Sequence, residues 1–125
     1  MTNAINWFEI PVSDYERAKK FYSHVLGVSI IAHHMGDKNM KYGIFPYEME
    51  NHKVGGALLE MDGMIPCTDG STVYLNGGDD LNVPLSRVEA AGGKVLMPKT
   101  DIQENGFIAQ FADTEGNRVA FHSMG

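Results

Sequence analysis

Six side chains in three short segments are of types that can bind a small molecule or move a proton: Trp7 and Glu9, Tyr74 and Asn76, Arg118 and His122. Within each pair the spacing is even, so on extended backbone both members share one face. A glutamate and a histidine meeting on such a face can take a proton from carbon beside a carbonyl. A tyrosine hydroxyl or asparagine amide can then donate to the developing oxyanion. Glu9 is the most informative residue, because a carboxylate in the middle of an inward strand face is costly unless paired or hydrogen-bonded. Its expected partners are His122, Arg118 or the Tyr74 hydroxyl. Catalytic roles are therefore expected for Glu9 and His122, and binding roles for Trp7, Tyr74, Asn76 and Arg118. A structural or binding role is favoured over the catalytic one, with Glu9 tying two parts of the chain together through backbone amides or Arg118.

These residues need strands to position them, and the chain supplies strands in a repeating pattern. Trp7 to Asp14 aligns with Thr72 to Asp80: both segments alternate, and both run into acidic residues that can open a helix. One face is apolar, with Phe8, Ile10 and Val12 in the first segment and Val73 and Leu75 in the second. The other face is mixed and carries Trp7, Glu9 and Pro11 against Thr72, Tyr74 and Asn76. A helix follows each segment. The first begins at a capping box, Ser13 to Glu16, places Tyr15, Ala18, Tyr22 and Val25 at helical spacing, and stops at Gly27. The second is expected over Val83 to Ala91, with Pro84 in its first turn and Gly92-Gly93 at its end. Three strands then follow in each half: Val28 to His34, Met40 to Tyr47 and Val54 to Met61, then Lys94 to Ile102, Phe107 to Ala112 and Arg118 to Met124. Turns are expected at Gly36-Asp37, Glu50-Asn51 and Glu115-Gly116-Asn117.

The fold class is thus α+β: two tandem βαβββ units, about residues 5–61 and 72–124, joined by a linker over 62–71. A single unit leaves one sheet face bare. Two units can curve around a shared cavity lined by the mixed faces, which is a place for a ligand.

Composition narrows the partners. With 125 residues, 43% hydrophobic and 21% charged, the chain suits one domain with a real core. A net charge of −6 argues against nucleic acid and against an anionic membrane surface. No apolar run approaches a membrane span, and no signal peptide is evident at the start. The single cysteine, Cys67, allows no internal disulfide and points to a reducing cytoplasm, where it reads as an incidental thiol.

The segments Trp7-Phe8-Glu9-Ile10-Pro11-Val12, Ala18-Lys19-Lys20-Phe21-Tyr22 before Leu26-Gly27, Val73-Tyr74-Leu75-Asn76, Val88-Glu89-Ala90-Ala91-Gly92-Gly93-Lys94 and Asp113-Thr114-Glu115-Gly116-Asn117 carry a family resemblance. From about Ile5 to His122 the chain resembles the vicinal-oxygen-chelate superfamily of glyoxalases, bleomycin-resistance proteins and dioxygenases, and within it the lactoylglutathione-lyase-related proteins. The resemblance implies that metal-dependent members hold a divalent ion on the first, fourth, fifth and eighth strands, through His and Glu. Here those positions are Trp7, Ala57, Thr72 and Ala120, so no metal and no cofactor is expected. A displaced metal site would have to draw on Glu9, His33, His34, His52, Glu60 and His122. The resemblance also implies homodimers with the cavity near the interface.

The expected function is a metal-free pocket for a small molecule, with weak acid–base lyase or isomerase activity on a carbonyl compound. One alternative is a metal-dependent lyase or dioxygenase with displaced ligands. A second is a resistance protein that sequesters a drug without chemistry.

Overall fold

The computed structural model describes residues 4–33, 39–50 and 53–125. Strand β1 (Trp7–Pro11) leads into helix α1 (Tyr15–Leu26), then β2 (Ile31–His33), β3 (Lys41–Ile44) and β4 (Gly55–Glu60). The second half repeats the plan with β5 (Tyr74–Asn76), α2 (Asn82–Leu85), β6 (Lys94–Asp101), β7 (Phe107–Ala112) and β8 (Arg118–Ser123). Each half forms a four-stranded mixed sheet, ordered β1-β4-β3-β2 and β5-β8-β7-β6. In each, the first strand runs parallel to the last, and the rest is antiparallel. The two tandem βαβββ units are therefore present, and their sheets do not close into a barrel.

The pseudo-repeat extends to individual hydrogen bonds. The Val12 amide donates to the Leu59 carbonyl at 2.9 Å, as Gly77 does to His122 at 2.7 Å. Glu60 accepts from the Tyr15 amide at the start of α1, and Ser123 Oγ accepts from the Leu81 amide before α2. The register pairs Glu9 with Ala57 and Tyr74 with Ala120, so Glu9 and Tyr74 are equivalent positions.

Helix α1 starts one residue later than its capping box predicts. Asp14 is the cap, accepting from the Arg17 amide at 3.1 Å. Ser13 is diverted: its amide and hydroxyl both donate to Glu115, a carboxylate from the other half. The helix ends as expected on Gly27, whose φ of 67° is the left-handed conformation that glycine adopts without strain. The second helix is much shorter than predicted. After Leu85 the chain continues in tight turns, with Arg87 and Val88 donating to carbonyls three residues back. Pro84 has no amide to give, and Ser86 Oγ competes for the Val83 carbonyl at 2.8 Å. Strand β2 is likewise shorter than expected, and β3 ends before Pro46. His34, His52 and the Gly36-Asp37 turn lie outside the described residues.

The apolar faces of the two sheets do not pack separately. Ile10, Phe45 and Leu58 from the first half share one buried cluster with Leu75, Phe111, Val119 and Phe121 from the second, together with the inward faces of both helices. Tyr22 sits in the centre, fully buried, and its hydroxyl donates to Asp113 at 2.7 Å. Burial and the neighbouring Asp113 carboxylate raise the Tyr22 pKa well above its ordinary value. Because the core takes both apolar faces, the two mixed faces point away from it. Trp7, Glu9, Tyr74 and Asn76 are exposed, so the shared cavity expected between the mixed faces is not closed within one chain.

Candidate functional site

On the first sheet, β1 presents Trp7 and Glu9 side by side on the mixed face, with Gly55 and Ala57 of β4 next to them in register. Tyr42 of β3 reaches across from beyond β4. The Trp7 indole N–H donates to the Tyr42 hydroxyl at 2.9 Å, and that hydroxyl donates to Glu9 Oε2 at 2.6 Å. Burial, and then the hydrogen bond to the Glu9 carboxylate, raise the Tyr42 pKa, against a smaller lowering by the Trp7 donor. Glu9 is exposed rather than inward, and the hydroxyl it accepts from is that of Tyr42 rather than Tyr74, with no bond to His122 or Arg118. Beneath the array, Tyr42, Ala57 and Leu59 form a small buried cluster with Met40 and Ile44.

Tyr47 completes the wall. Its ring meets Trp7 edge to face, with centroids 5.5 Å apart and planes at 79°. It lies so close over Gly55 that a Cβ there would come within 2.6 Å of the ring. The next residue, Gly56, is covered on the opposite face by the Phe8 ring. Consecutive glycines in a strand signal close approach on both faces, and that signal is present in the sequence at Gly55-Gly56. Gly55→Ala is therefore expected to push Tyr47 off the strand, costing about 1–3 kcal/mol by overpacking. Chemical denaturation followed through Trp7 emission measures it, and unchanged stability and emission would mean that Tyr47 is not held there.

On the second sheet, Tyr74, Asn76 and His122 line a cavity of 690 Å³ together with Asp79 and Met124, and with Val54 from the first half. His122 Nε2–H donates to the Asn105 carbonyl at 2.7 Å, and Asn76 Oδ1 accepts from the Gly78 amide at 2.9 Å. The Tyr74 hydroxyl lies 3.5 Å from Gln110 Nε2. Arg118 is half-buried, and its Nε is buried without a hydrogen-bond partner among the described residues. The predicted residues thus fall into two groups: Trp7 and Glu9 on one sheet, Tyr74, Asn76, His122 and Arg118 on the other.

Of the four positions that the resemblance assigns to a metal, three offer a divalent ion no donor, and the fourth offers only the Thr72 hydroxyl. Ala57 and Ala120 are fully buried and carry no donor atom. Trp7 has only an N–H, which Tyr42 already accepts. Among the described residues no three His, Cys, Asp or Glu side chains gather as a metal would require. Glu60, a candidate for a displaced site, instead caps α1 through the Tyr15 amide. Cys67 is exposed and lies 3.2 Å from the Asp69 carbonyl.

The family is settled by comparison: the model of the Glyoxalase/Bleomycin resistance protein/Dioxygenase superfamily matches residues 4–121, and the chain belongs to that superfamily. No curated protein matches. Among solved structures, a hypothetical protein from S. aureus is 21% identical, with 98% of each chain covered and a TM-score of 0.66. Glyoxalase I from Zea mays is 18% identical with a TM-score of 0.68, over 95% of this chain and 44% of the maize chain, so this chain spans less than half of that protein. TnmS3, an antibiotic binding protein from Streptomyces sp. CB03234, is 22% identical with a TM-score of 0.63, over 100% of this chain and 99% of that chain. At these identities the likeness is one of fold. Among the described residues no helix is long and apolar enough to cross a membrane.

Proposed function

We propose that the protein binds a small organic molecule without a metal, on the mixed faces of its sheets, as a homodimer in a reducing cytoplasm. The observation that carries this reading is the replacement of metal-ligating positions by Ala57 and Ala120 beside an intact aromatic and carboxylate array, Trp7–Tyr42–Glu9. Among the described residues no ligand set for metal-dependent lyase chemistry gathers, whereas a wall of Trp7 and Tyr47 suits an unsaturated or aromatic ligand. The full-length likeness to an antibiotic binding protein favours sequestration of a drug-like compound. A second copy supports the same reading: two exposed mixed faces, one bearing Trp7 and Glu9 and the other Tyr74, Asn76, Arg118 and His122, need a cover to exclude water from a ligand. Acid–base chemistry on a carbonyl compound would require Glu9 of one copy to meet His122 of the other, because within one chain each has a different partner.

Trp7 is the only tryptophan, so its emission reports this face alone. Titration with planar aromatic compounds is expected to quench Trp7 saturably, to the same extent with and without chelator. Sedimentation equilibrium is expected to give twice the chain mass of 13.8 kDa. Quenching that appears only after a divalent metal is added would overturn the metal-free reading, and a monomer that still binds would remove the second copy from it.

A further inference from the structure

The Trp7–Tyr42–Glu9 array also specifies the charge of its ligand. One oxygen of Glu9 is held by the Tyr42 hydroxyl at 2.6 Å, yet the residue remains exposed. Among the described residues the ion pairs are Arg17 with Glu115 and Lys99 with Asp80, so no cation neutralises Glu9. Lys41, next to Tyr42, projects to the other face by strand alternation. His33, opposite Tyr42 on β2, lies on the same face as the titratable Tyr42 and Tyr47 hydroxyls.

Beside this unpaired carboxylate stand two aromatic rings, Trp7 and Tyr47, with centroids 5.5 Å apart. Ring faces are negative and attract cations at up to about 6 Å from the centroid. The indole N–H, the positive edge of Trp7, is turned to Tyr42 and is not offered to a ligand. The floor, Gly55 and Ala57, is made of small residues with no side-chain polar atom. An anion would be repelled by Glu9, and a neutral ligand would leave the carboxylate desolvated and uncompensated. The net charge of −6 adds a long-range attraction for cations.

We propose that this face is a binding site for a small organic ammonium ion, with Glu9 as its counter-ion and Trp7 and Tyr47 as its aromatic wall. The proposal rests on the mixed face being the ligand surface, and adds to it the ligand's charge and class. A bare metal cation is not the occupant, because among the described residues no three His, Cys, Asp or Glu side chains gather as one would require, and the rings favour a large, weakly hydrated ion.

The test compares choline with dimethylbutanol, the same molecule with carbon in place of the charged nitrogen. The readout is the single indole N–H resonance in nitrogen-labelled protein, which belongs to Trp7. Choline is expected to shift it saturably and to bind about tenfold more tightly than the neutral isostere. Glu9→Gln keeps an acceptor for the Tyr42 hydroxyl, so the array stays folded, and is expected to reduce that preference to within about twofold. Tyr47→Leu is expected to weaken choline several-fold, to about the level of the neutral isostere. Equal binding of both compounds by the wild-type protein overturns the ammonium proposal and leaves the pocket intact. A choline preference that survives Glu9→Gln also overturns it. If choline shifts nothing while planar aromatic compounds quench Trp7, the ammonium proposal falls alone. If neither kind of compound perturbs Trp7, the ligand surface itself falls.

Discussion

Replacing Glu115 with alanine is expected to destabilise the protein by about 2–4 kcal/mol, more than a typical surface substitution. The Glu115 side chain is fully buried and accepts from the Ser13 amide at 3.0 Å, the Ser13 hydroxyl at 3.2 Å and the Asp14 amide at 2.8 Å. It also accepts from Arg17 Nε at 2.7 Å, a second Arg17 nitrogen at 3.0 Å and Thr114 Oγ1 at 2.9 Å. Alanine leaves the amides at the start of α1 without partners and unlatches the second half from the first. Arg17 is half exposed and can turn to water, so Arg17→Ala is expected to cost less than Glu115→Ala.

The same carboxylate sets an acid limit. Burial by itself would raise its pKa, but the hydrogen bonds from Arg17, Asp14, Thr114 and Ser13 outweigh burial and hold it at about 2, against an ordinary 4.5. A folded-state value below the unfolded one means that the unfolded chain binds more protons between the two. The contribution is fully present above pH 4.5 and is lost as pH falls from there through about 2. Glu115→Gln is therefore expected to unfold with a flatter pH dependence across that window, measured by urea midpoints at each pH. A wild-type slope retained in the variant would show that other carboxylates carry the acid sensitivity.

Phe111→Ala is expected to cost about 3–5 kcal/mol, the largest effect of any single truncation considered. Phe111 is fully buried on β7, stacks on Phe121 with centroids 4.8 Å apart, and reaches Phe21 and Tyr22 of α1 at 6.1 and 6.4 Å. It thus joins the second sheet to the helix of the first half. Unfolding followed by Trp7 emission, a probe of the first half, and by far-ultraviolet circular dichroism should show one shared transition, moved to lower urea by the substitution. If the Trp7 transition stayed in place while dichroism shifted, the halves would have independent cores, contrary to the large cluster that both halves share.

The βαβββ repeat was legible because each half declares itself locally: alternation in Trp7 to Val12 and Thr72 to Asn76, helical spacing in Tyr15 to Val25, and glycine stops. Phe107 to Ala112 was read with the boundaries that the structure shows. Faces were legible too, since a period of two separates Ile10 from Glu9 whatever the sheet packs against. The second helix fell short for local reasons, at Pro84 and Ser86, and the other mismatches lie where a distant group competes with a local rule. Ser13 has the sequence of a helix cap and is taken by Glu115, a residue of the other half. Asp113 to Asn117 reads as a turn, which it is, but the turn also buries two carboxylates that hold Tyr22 and the start of α1.

The candidate site divides in the same way. That Trp7 and Glu9 share a face follows from strand alternation, and that Ala57 and Ala120 are the positions to test for a metal follows from the resemblance, both read from the chain. That Tyr42 and Tyr47 join them, while His122 and Tyr74 line a separate cavity, depends on how β3 lies beside β4 and where the chain returns after it. Periodicity is a property of neighbours along the backbone, and it can assign a side chain to a face. Which residues meet across a face is decided by sheet order and by the one core that both halves bury, and these exist only once the whole chain is folded.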